Sequence, residues 1–544
     1  MREITTCSRR NFVRGAALGV AGLAAVGLTA CAQPAAKESM ADAGDGAALE
    51  LAPADETWET DVLVIGLGAS GLQAALGAAA QGVGVLAVDQ APDMVGTTNI
   101  TTSGYLCVGD KLQMAQPYHY EVREVFDKLN EYSNYCFNTQ VLKAILDASS
   151  RSSNNLIDAG LPVKVVELPE RKELTGPTLG QICGHAYDCK GQERADIFQA
   201  ALDKAGVDSR YGVTAEQLVF DGDEIVGVRC TQDGKAIDVN AKAICLCTGG
   251  FLGNEDMVAQ YFAGSRVVPM GNPACKGAGI TMALSAKGQM GKAFSLSSNE
   301  YGGANFDASP MFAFRPGSGS NEALRLVLLG SIIVDSQGNR FVSEEIANKE
   351  AMHCAEPFIR AKTYYTVVDQ DFIDYVKSKP LGETMGDGRM KKMFADVMIE
   401  TLDDDLEAAL AEGWVAKGDT IAELAAAYDL PDLESTIETY NGYCETGVDE
   451  QFYNAPEFLH KVATPPFYIV QSFPAGWLTL GGVKCDASCQ VVDADNKPVE
   501  KLFIAGADAD LFCAPYIAGG SANGFAQASG LIAGESAAAL AKAS

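Results

Sequence analysis

Positive charge is scarce in this chain, and so is histidine. Lys and Arg total 41 against 71 Asp and Glu, a formal net charge of −30 over 544 residues, and there are four histidines. No basic stripe is present, so a nucleic-acid partner is excluded. No Cys-x-x-Cys-His occurs, so no c-type haem is attached here; no metal ligands are assigned, and an iron–sulfur cluster on scattered cysteines stays open as an alternative to free thiols. Glycine is abundant without a Gly-X-Y period, and no internal repeat appears. What is present is enough apolar matter, 47% of residues, to build a sizeable core. The length suits a large domain with insertions or two to three domains. The acidity suits solubility or a cationic partner.

The first residues read as an address. Ser8-Arg9-Arg10-Asn11-Phe12-Val13-Arg14 precedes an apolar run from Gly15 to Ala30, too short for a membrane span. Paired arginines before a weakly hydrophobic stretch read as a twin-arginine export signal. Leu28-Thr29-Ala30-Cys31 resembles a bacterial lipobox, in which Cys31 is lipidated. The expectation is a signal over 1–31, a flexible tether over 32–57, and a lipid-anchored enzyme on the outer face of the cytoplasmic membrane or in the periplasm. The twin-arginine route exports folded proteins, which suits a protein that must first take up a large cofactor.

Thr60 to Ile65 reads as a buried strand and runs straight into Gly66-Leu67-Gly68-Ala69-Ser70-Gly71. An Ala-rich helix from Leu72 to Gln81 follows, stopped by Gly82. Val83 to Val88 is a second strand, ending at Asp89. This is the context a dinucleotide fingerprint requires. Gly66 permits the turn, Gly68 lets the backbone approach a pyrophosphate, and Gly71 lets helix and strand pack close. Ala69 and Ser70 open the helix, whose N-terminus faces the phosphate charge. Asp89, 18 residues past Gly71, is placed to bind a ribose hydroxyl.

Later segments select the dinucleotide. Gly96, Thr97, Thr98, Ser103 and Gly104 supply small, hydrogen-bonding residues after the second strand. Ala215 is a further candidate contact. Ala243 to Phe251 is a strand that breaks at Thr248, Gly249 and Gly250. Leu502 to Asp508 is another, containing Gly506 and Asp508. Gly519 to Gly524, with Ser521 and Ala522, then opens a small-residue helix to Ala541. A Gly-rich N-terminal fold completed by such a C-terminal strand and helix is how FAD is commonly enclosed.

At this point the chain resembles the flavoprotein family of soluble fumarate reductase, urocanate reductase and 3-ketosteroid dehydrogenase, from about Thr60 to Ala541. Gly338-Asn339-Arg340-Phe341-Val342-Ser343-Glu344 is similar to that family's Gly-Asn-Arg-Phe-x-x-Glu segment. Thr420 to Leu424, Leu430-Pro431 and Thr436 to Gly442 resemble its paired cap helices. Pro465 to Tyr468 and Thr479 to Val483 resemble its return to the flavin domain. The resemblance implies an α/β fold: a Rossmann-like FAD-binding domain over 58–304 and 479–544, with an inserted α+β capping domain over 305–478. Independently, Thr420 to Glu423 spells a capping box. The acidic cluster Glu400 to Glu407 reads as a solvated face.

The chain departs from fumarate reductase where that family binds its substrate. Two carboxylates need cations in a dry site. Leu478, preceded by Trp477, replaces one family histidine, and Ser309 replaces the other. Ile517 stands at a family arginine, and the proton-donating arginine falls at Asn348, with Lys349 beside it. The Glu-x-x-Arg proton relay corresponds to Glu322 and Arg325 if a two-residue insertion is allowed. The dicarboxylate clamp is therefore absent, and Trp477, Leu478, Ser309 and Ile517 suit a larger substrate that is neutral or singly charged. His119, His185, His353 and His460 occupy no family catalytic position and read as structural or surface residues; His185 lies near a family active-site segment.

Tyr516-Ile517-Ala518-Gly519-Gly520 resembles the Tyr-x-x-Gly-Gly of ketosteroid dehydrogenases. There the Tyr hydroxyl and the backbone N–H of the last Gly polarise a ketone. The resemblance gives Tyr516 and Gly520 that role, in the manner of an oxyanion hole. Tyr301, Arg325 and Lys349 are candidate proton donors; Lys or Arg would need tuning by its site. Alternatively, Tyr516 is an aromatic packing beside the flavin.

Of fifteen cysteines most read as buried free thiols, with Cys485 and Cys489 spaced by three residues. With no haem or FMN segment of its own, the subunit would be reduced by a membrane-bound cytochrome or flavin-bearing donor. The expected activity is reduction of a C=C bond conjugated to a carbonyl in a small enone or enoate. A dehydrogenase introducing unsaturation beside a ketone, and a flavin electron carrier without substrate chemistry, are the alternatives.

Overall fold

The computed structural model describes residues 52–97, 102–116, 119–165, 184–292, 294–297, 301–303, 321–329, 331–345, 355–384, 391, 394–512, 516 and 520–544. Cys31, Thr98, Ser309, Asn348, Lys349, Ile517 and His353 lie outside them. Ala54–Ser544 forms one compact unit. Among the described residues no helix is long and apolar enough to cross a membrane.

Strand β1 (Glu56–Ile65) is the centre of an eight-stranded sheet. Its Val62, Leu63 and Val64 have no exposed surface, as a parallel strand covered on both faces requires. Helix α1 (Ala69–Ala79) and strand β2 (Val85–Asp89) follow, and β2 pairs with β1 in parallel, Val62 opposite Val85. The helix begins three residues before the expected Leu72, because Gly68 already has extended N-cap backbone. Strand β3 (Gly104–Leu106) joins a small antiparallel sheet with Val163–Val165 and β4 (Gly184–Tyr187). Between them runs α2 (Thr139–Asp158), whose Ser149, Ser152 and Ser153 are buried.

Strand β5 (Lys235–Leu246) pairs with β1 in parallel from Glu56↔Ile237 to Ile65↔Leu246. This pairing explains why β1 starts at Glu56 and not at the expected Thr60. Beyond the short helix α3 (Glu322–Arg325) lies a six-stranded sheet built around β6 (Phe467–Gly476). Two of its strands, Val268–Pro269 and Tyr301–Gly303, precede residue 305 in the chain, so this sheet does not begin at the expected boundary. The sequence then returns to the main sheet through β7 (Pro498–Ile504), parallel to β5, and ends in α4 (Ser521–Ala543).

Helices α1 and α4 meet backbone to backbone. A Cβ on Gly530 would lie 2.0 Å from the Ser70 carbonyl oxygen, and one on Gly534 would lie 2.0 Å from that of Ala74. The small residues of α4 are therefore packing requirements, since a side chain at either position would separate the helices.

The Gly-Asn-Arg-Phe segment has a clear physical purpose. Arg340 donates through Nε and Nη2 to Glu344 at 2.8 and 2.6 Å, and through Nη1 and Nη2 to Asp449 at 3.1 and 2.8 Å. All three side chains are essentially inaccessible. Burial pushes Asp449 up, but the Arg340 hydrogen bonds overcome it and hold the carboxyl down at about 2. Arg340→Ala would strand two carboxylates in a dry site. A loss of ~3–5 kcal/mol of stability is expected, read as a lower urea midpoint with the slope unchanged. The expected capping box is formed, Glu423 N–H donating to Thr420 Oγ1 and Thr420 N–H to Glu423, both at 3.3 Å. The acidic stretch is largely solvated, but Asp405 accepts the Glu322 N–H at 2.8 Å and so holds the start of α3.

Candidate active site

The turn after β1 is fixed by its glycines. Gly66 has φ +91°, and a Cβ on Gly71 would lie 1.7 Å from the Gly66 carbonyl oxygen. Gly68 is the N-cap of α1 and offers no side-chain cap, and the first turn carries no acid. The opening N–H groups, at Ala69, Ser70 and Gly71, thus meet no competing carboxylate, as an incoming pyrophosphate requires. Asp89 lies at this turn. Its two oxygens accept the N–H of Leu67 at 2.6 Å and of Ala91 at 2.8 Å. These bonds hold the turn.

The other early candidates cluster nearby. Gly96 N–H donates to Asp93, and the buried Thr97 hydroxyl donates to Met94 O at 2.8 Å. Ser103 is exposed, and its carbonyl accepts from Tyr187 N–H. Gly104 packs against His185, where a Cβ would lie 2.1 Å from the carbonyl oxygen. Ala215 is buried in the strand Thr214–Asp221, two residues beyond Val213, whose N–H donates to Asp89 O.

Two later loops are joined by a single carboxylate. Asp508 has no exposed surface. It accepts the N–H of Thr248 at 2.5 Å, the N–H of Gly250 at 2.8 Å and the Thr248 hydroxyl at 2.9 Å. Burial pushes its carboxyl up to about 6, against the pull of those amides. Its carboxylate ties the loop after β5 to the loop after β7. Gly249 and Gly250 have φ +92° and +80°. Gly506 N–H donates to Ser529 Oγ at 3.1 Å, and its Cα faces Ser70, so α1, α4 and β7 meet there.

Helix α4 opens at Gly520, in the left-handed region at φ +87°, again with no side-chain cap and no acid in the first turn. The Gly520 carbonyl accepts from Leu106 N–H at 2.8 Å, which seats β3 on the helix start. Ser521 and Ala522 are buried in the first turn. Tyr516 is buried beside them, and its hydroxyl oxygen accepts the Ala522 N–H at 3.4 Å. Tyr516 and Gly520 are thus at one place, the start of α4.

The remaining candidates lie on the second sheet and its approach. Arg325 is paired with Glu322 at 3.5 Å, one helical turn away and almost wholly buried, and Glu322 also accepts Thr401 N–H at 2.8 Å. Tyr301 begins the strand Tyr301–Gly303, whose backbone pairs with β6. Trp477 is half-buried against Val268, Met270 and Ala475. Leu478 begins the strand Leu478–Leu480, with its side chain against the main core. The hydroxyl of Thr479 accepts Phe251 N–H at 3.1 Å beside Gly250.

A buried polar cluster was not anticipated. His185 Nε2 lies 3.0 Å from Asp110 Oδ2, with both side chains inaccessible. Ser153 donates to the same carboxylate oxygen, and Tyr105 bonds to Ser153 at 2.8 Å while stacking on His185 with centroids 5.0 Å apart. Cys107 completes a Cys/Asp/His group whose ligand-type atoms lie within 4.8 Å of one another. The buried serines of α2 were the available signal; the pairing of positions 110 and 185 had none. His460 packs on Phe372 and Tyr375, and burial pushes it down to about 4.

Two uncapped helix starts, glycine turns and a parallel sheet define a dinucleotide-binding flavoprotein. The chain belongs to the FAD binding domain family, which matches residues 61–530. It is 28% identical over 466 residues to a vinyl phenol reductase of Lactiplantibacillus plantarum, covering 82% of this chain and 90% of that protein. A probable fumarate reductase of Shewanella frigidimarina is 26% identical over 458 residues, covering 82% and 69%. In fold the chain is similar to a 3-ketosteroid delta1-dehydrogenase from Sterolibacterium denitrificans, with TM-score 0.65 and 17% identity, over 88% of this chain and 99% of that one. The cofactor is FAD, and the protein is an FAD-dependent oxidoreductase.

Proposed function

We propose that this protein reduces a carbon–carbon double bond conjugated to a carbonyl, in a substrate that is neutral or singly charged. The observation that carries this reading is Tyr516. Its oxygen accepts the Ala522 N–H at the start of α4, and with no acceptor for its proton among the described residues it could donate to a substrate oxygen. A hydroxyl that already accepts a hydrogen bond is polarised toward donation. Together with the Gly520 N–H it would stabilise charge building on that oxygen.

FAD, when bound and reduced, supplies hydride. The residues placed to hold it are those of the Gly66–Gly71 turn, the Thr248–Gly250 loop and the Ser521–Ala522 helix start. Glu322 and Arg325 form the one expected relay pair that is in contact; they would move a proton toward the α-carbon. Leu478, with Trp477 before it, puts apolar surface where the resembled family has a histidine, which favours an uncharged substrate over a dicarboxylate. The name of the vinyl phenol reductase relative supports a neutral substrate.

We further propose that the protein works outside the cytoplasmic membrane, lipid-anchored through Cys31. Its electrons would come from a membrane-bound cytochrome or flavin-bearing donor, as in anaerobic respiration. The Ser8–Cys31 address supports this. Failure of membrane fractions to reduce the bound flavin would count against it.

Anaerobic reoxidation of the reduced, FAD-loaded protein tests the chemistry. The panel holds fumarate, urocanate, aryl enoates, enones including steroids, and a vinyl phenol. Rapid reoxidation by a neutral or monoanionic enone or enoate with fumarate inert is expected; reoxidation by the vinyl phenol alone, which has no carbonyl, would overturn the carbonyl-polarising role of Tyr516 and Gly520. Turnover of fumarate would overturn the reading.

A further inference from the structure

Beside the turn that carries Cys485 lies a cavity of about 400 Å³, lined among others by Lys292, Lys484, Cys485, Asp510, Phe137 and Cys136. Cys485 lines it directly, and Cys489 is buried immediately behind. The chain reverses between the two cysteines. Cys489 N–H donates to Asp486 O at 3.0 Å, Asp486 N–H to Gln490 O at 3.0 Å, and Cys485 forms a bridge with Val491. Cys489 itself holds φ +59°, so the turn is a fixed one. It sets the two cysteines four positions apart on one tight reversal, near enough for Cys485 to perturb the Cys489 thiol.

The pair is unlike the other thiols of the described residues. Burial pushes Cys230, Cys245 and Cys275 up to about 12, which makes them poor nucleophiles. Cys489 is pushed well up too, first by the hydrogen bond with Cys485 and then by burial. It therefore keeps its proton and can share it with its neighbour. Cys485, by contrast, lines a cavity that also carries Lys292 and Lys484, so a small solute can reach its sulfur. The carboxylate facing the same cavity, Asp510, is pushed by burial up to about 6, with Lys484 drawing it down.

We propose that Cys485 and Cys489 form a dithiol that small peroxides, entering through this cavity, convert to an intramolecular disulfide. In the first step the Cys485 thiolate attacks one peroxide oxygen. An S–O bond forms, the O–O bond breaks, and hydroxide leaves. In the second step the Cys489 sulfur attacks the Cys485 sulfenic acid. The S–S bond forms, the S–O bond breaks, and the departing oxygen leaves as water with the Cys489 proton. Two thiols and one hydrogen peroxide become one disulfide and two waters. The bond would close the turn next to Val483, whose N–H donates to Asp508 O and whose O accepts from Asp510 N–H, both at 2.8 Å.

The test uses the full chain loaded with FAD and exposed to equimolar hydrogen peroxide. Thiols are then alkylated under denaturing conditions and mapped by peptide mass. Both cysteines fall on the tryptic peptide that begins at Cys485. The expected product is that peptide with two hydrogens lost and no alkyl group taken up, in the wild type and equally in Cys136→Ser. In Cys489→Ala the sulfenic acid at Cys485 has no partner and is expected to be captured by dimedone. Full alkylation of both cysteines after peroxide would overturn the proposal. So would a Cys136–Cys485 disulfide, or failure of dimedone to label folded Cys489→Ala.

Discussion

Tyr516→Phe is expected to lower turnover of the accepted alkene by ~10²–10³-fold while FAD stays bound, the cost of removing one oxyanion donor. The substitution deletes one oxygen. The ring that packs in the core is kept, so folding and flavin content should be those of the wild type. The lost group acts on charge that develops during the reaction. The fall should therefore lie in kcat and kcat/KM together, with KM little changed. Steady-state rates on the substrate found by the reoxidation panel read this directly. An unchanged kcat would make Tyr516 a packing residue and leave the chemistry to another group.

The second large effect is expected at Gly71. A Cβ there would sit 1.7 Å from the Gly66 carbonyl oxygen, an overlap between two pieces of backbone with no flexible side chain to yield. Gly71→Ala is expected to abolish stoichiometric FAD binding, read as flavin absorbance per chain, and to lower the melting temperature. Gly82→Ala supplies the contrast. Gly82 also has positive φ, +77°, but nothing lies within 4 Å of its Cβ position. Only the left-handed backbone penalty of ~1–2 kcal/mol applies, and flavin should be retained. Full flavin content in Gly71→Ala would mean the turn is looser than described.

What the sequence disclosed follows a pattern. The β1–α1–β2 unit is legible because two apolar strands flank a glycine series with fixed spacing, and each glycine answers to a local steric need. The capping box at Thr420 and Glu423 is legible for the same reason: both partners lie within one turn. Asp89 and Asp508 stand out in the sequence as residues, but their backbone partners do not. Nothing in a linear pattern tells whether a carboxylate turns toward a ligand or inward to backbone N–H groups. Asp508 reaches Thr248 across 260 positions, and Asp110 meets His185 from a different element. Such pairs are products of tertiary packing. Val268–Pro269 and Tyr301–Gly303, which join the second sheet from before residue 305, are too short to show a period.

The backbone seat of Gly530 on Ser70 and the link from Asp508 to Thr248 bear on when this protein becomes a flavoprotein. A ribosome adds ~5–20 residues per second. The fingerprint turn therefore emerges tens of seconds before the helix that completes its surroundings. A nascent chain stalled anywhere before α4 carries half a binding site. Flavin capture is thus a late event, closer to a quality check on the finished polypeptide than to a nucleus for its folding.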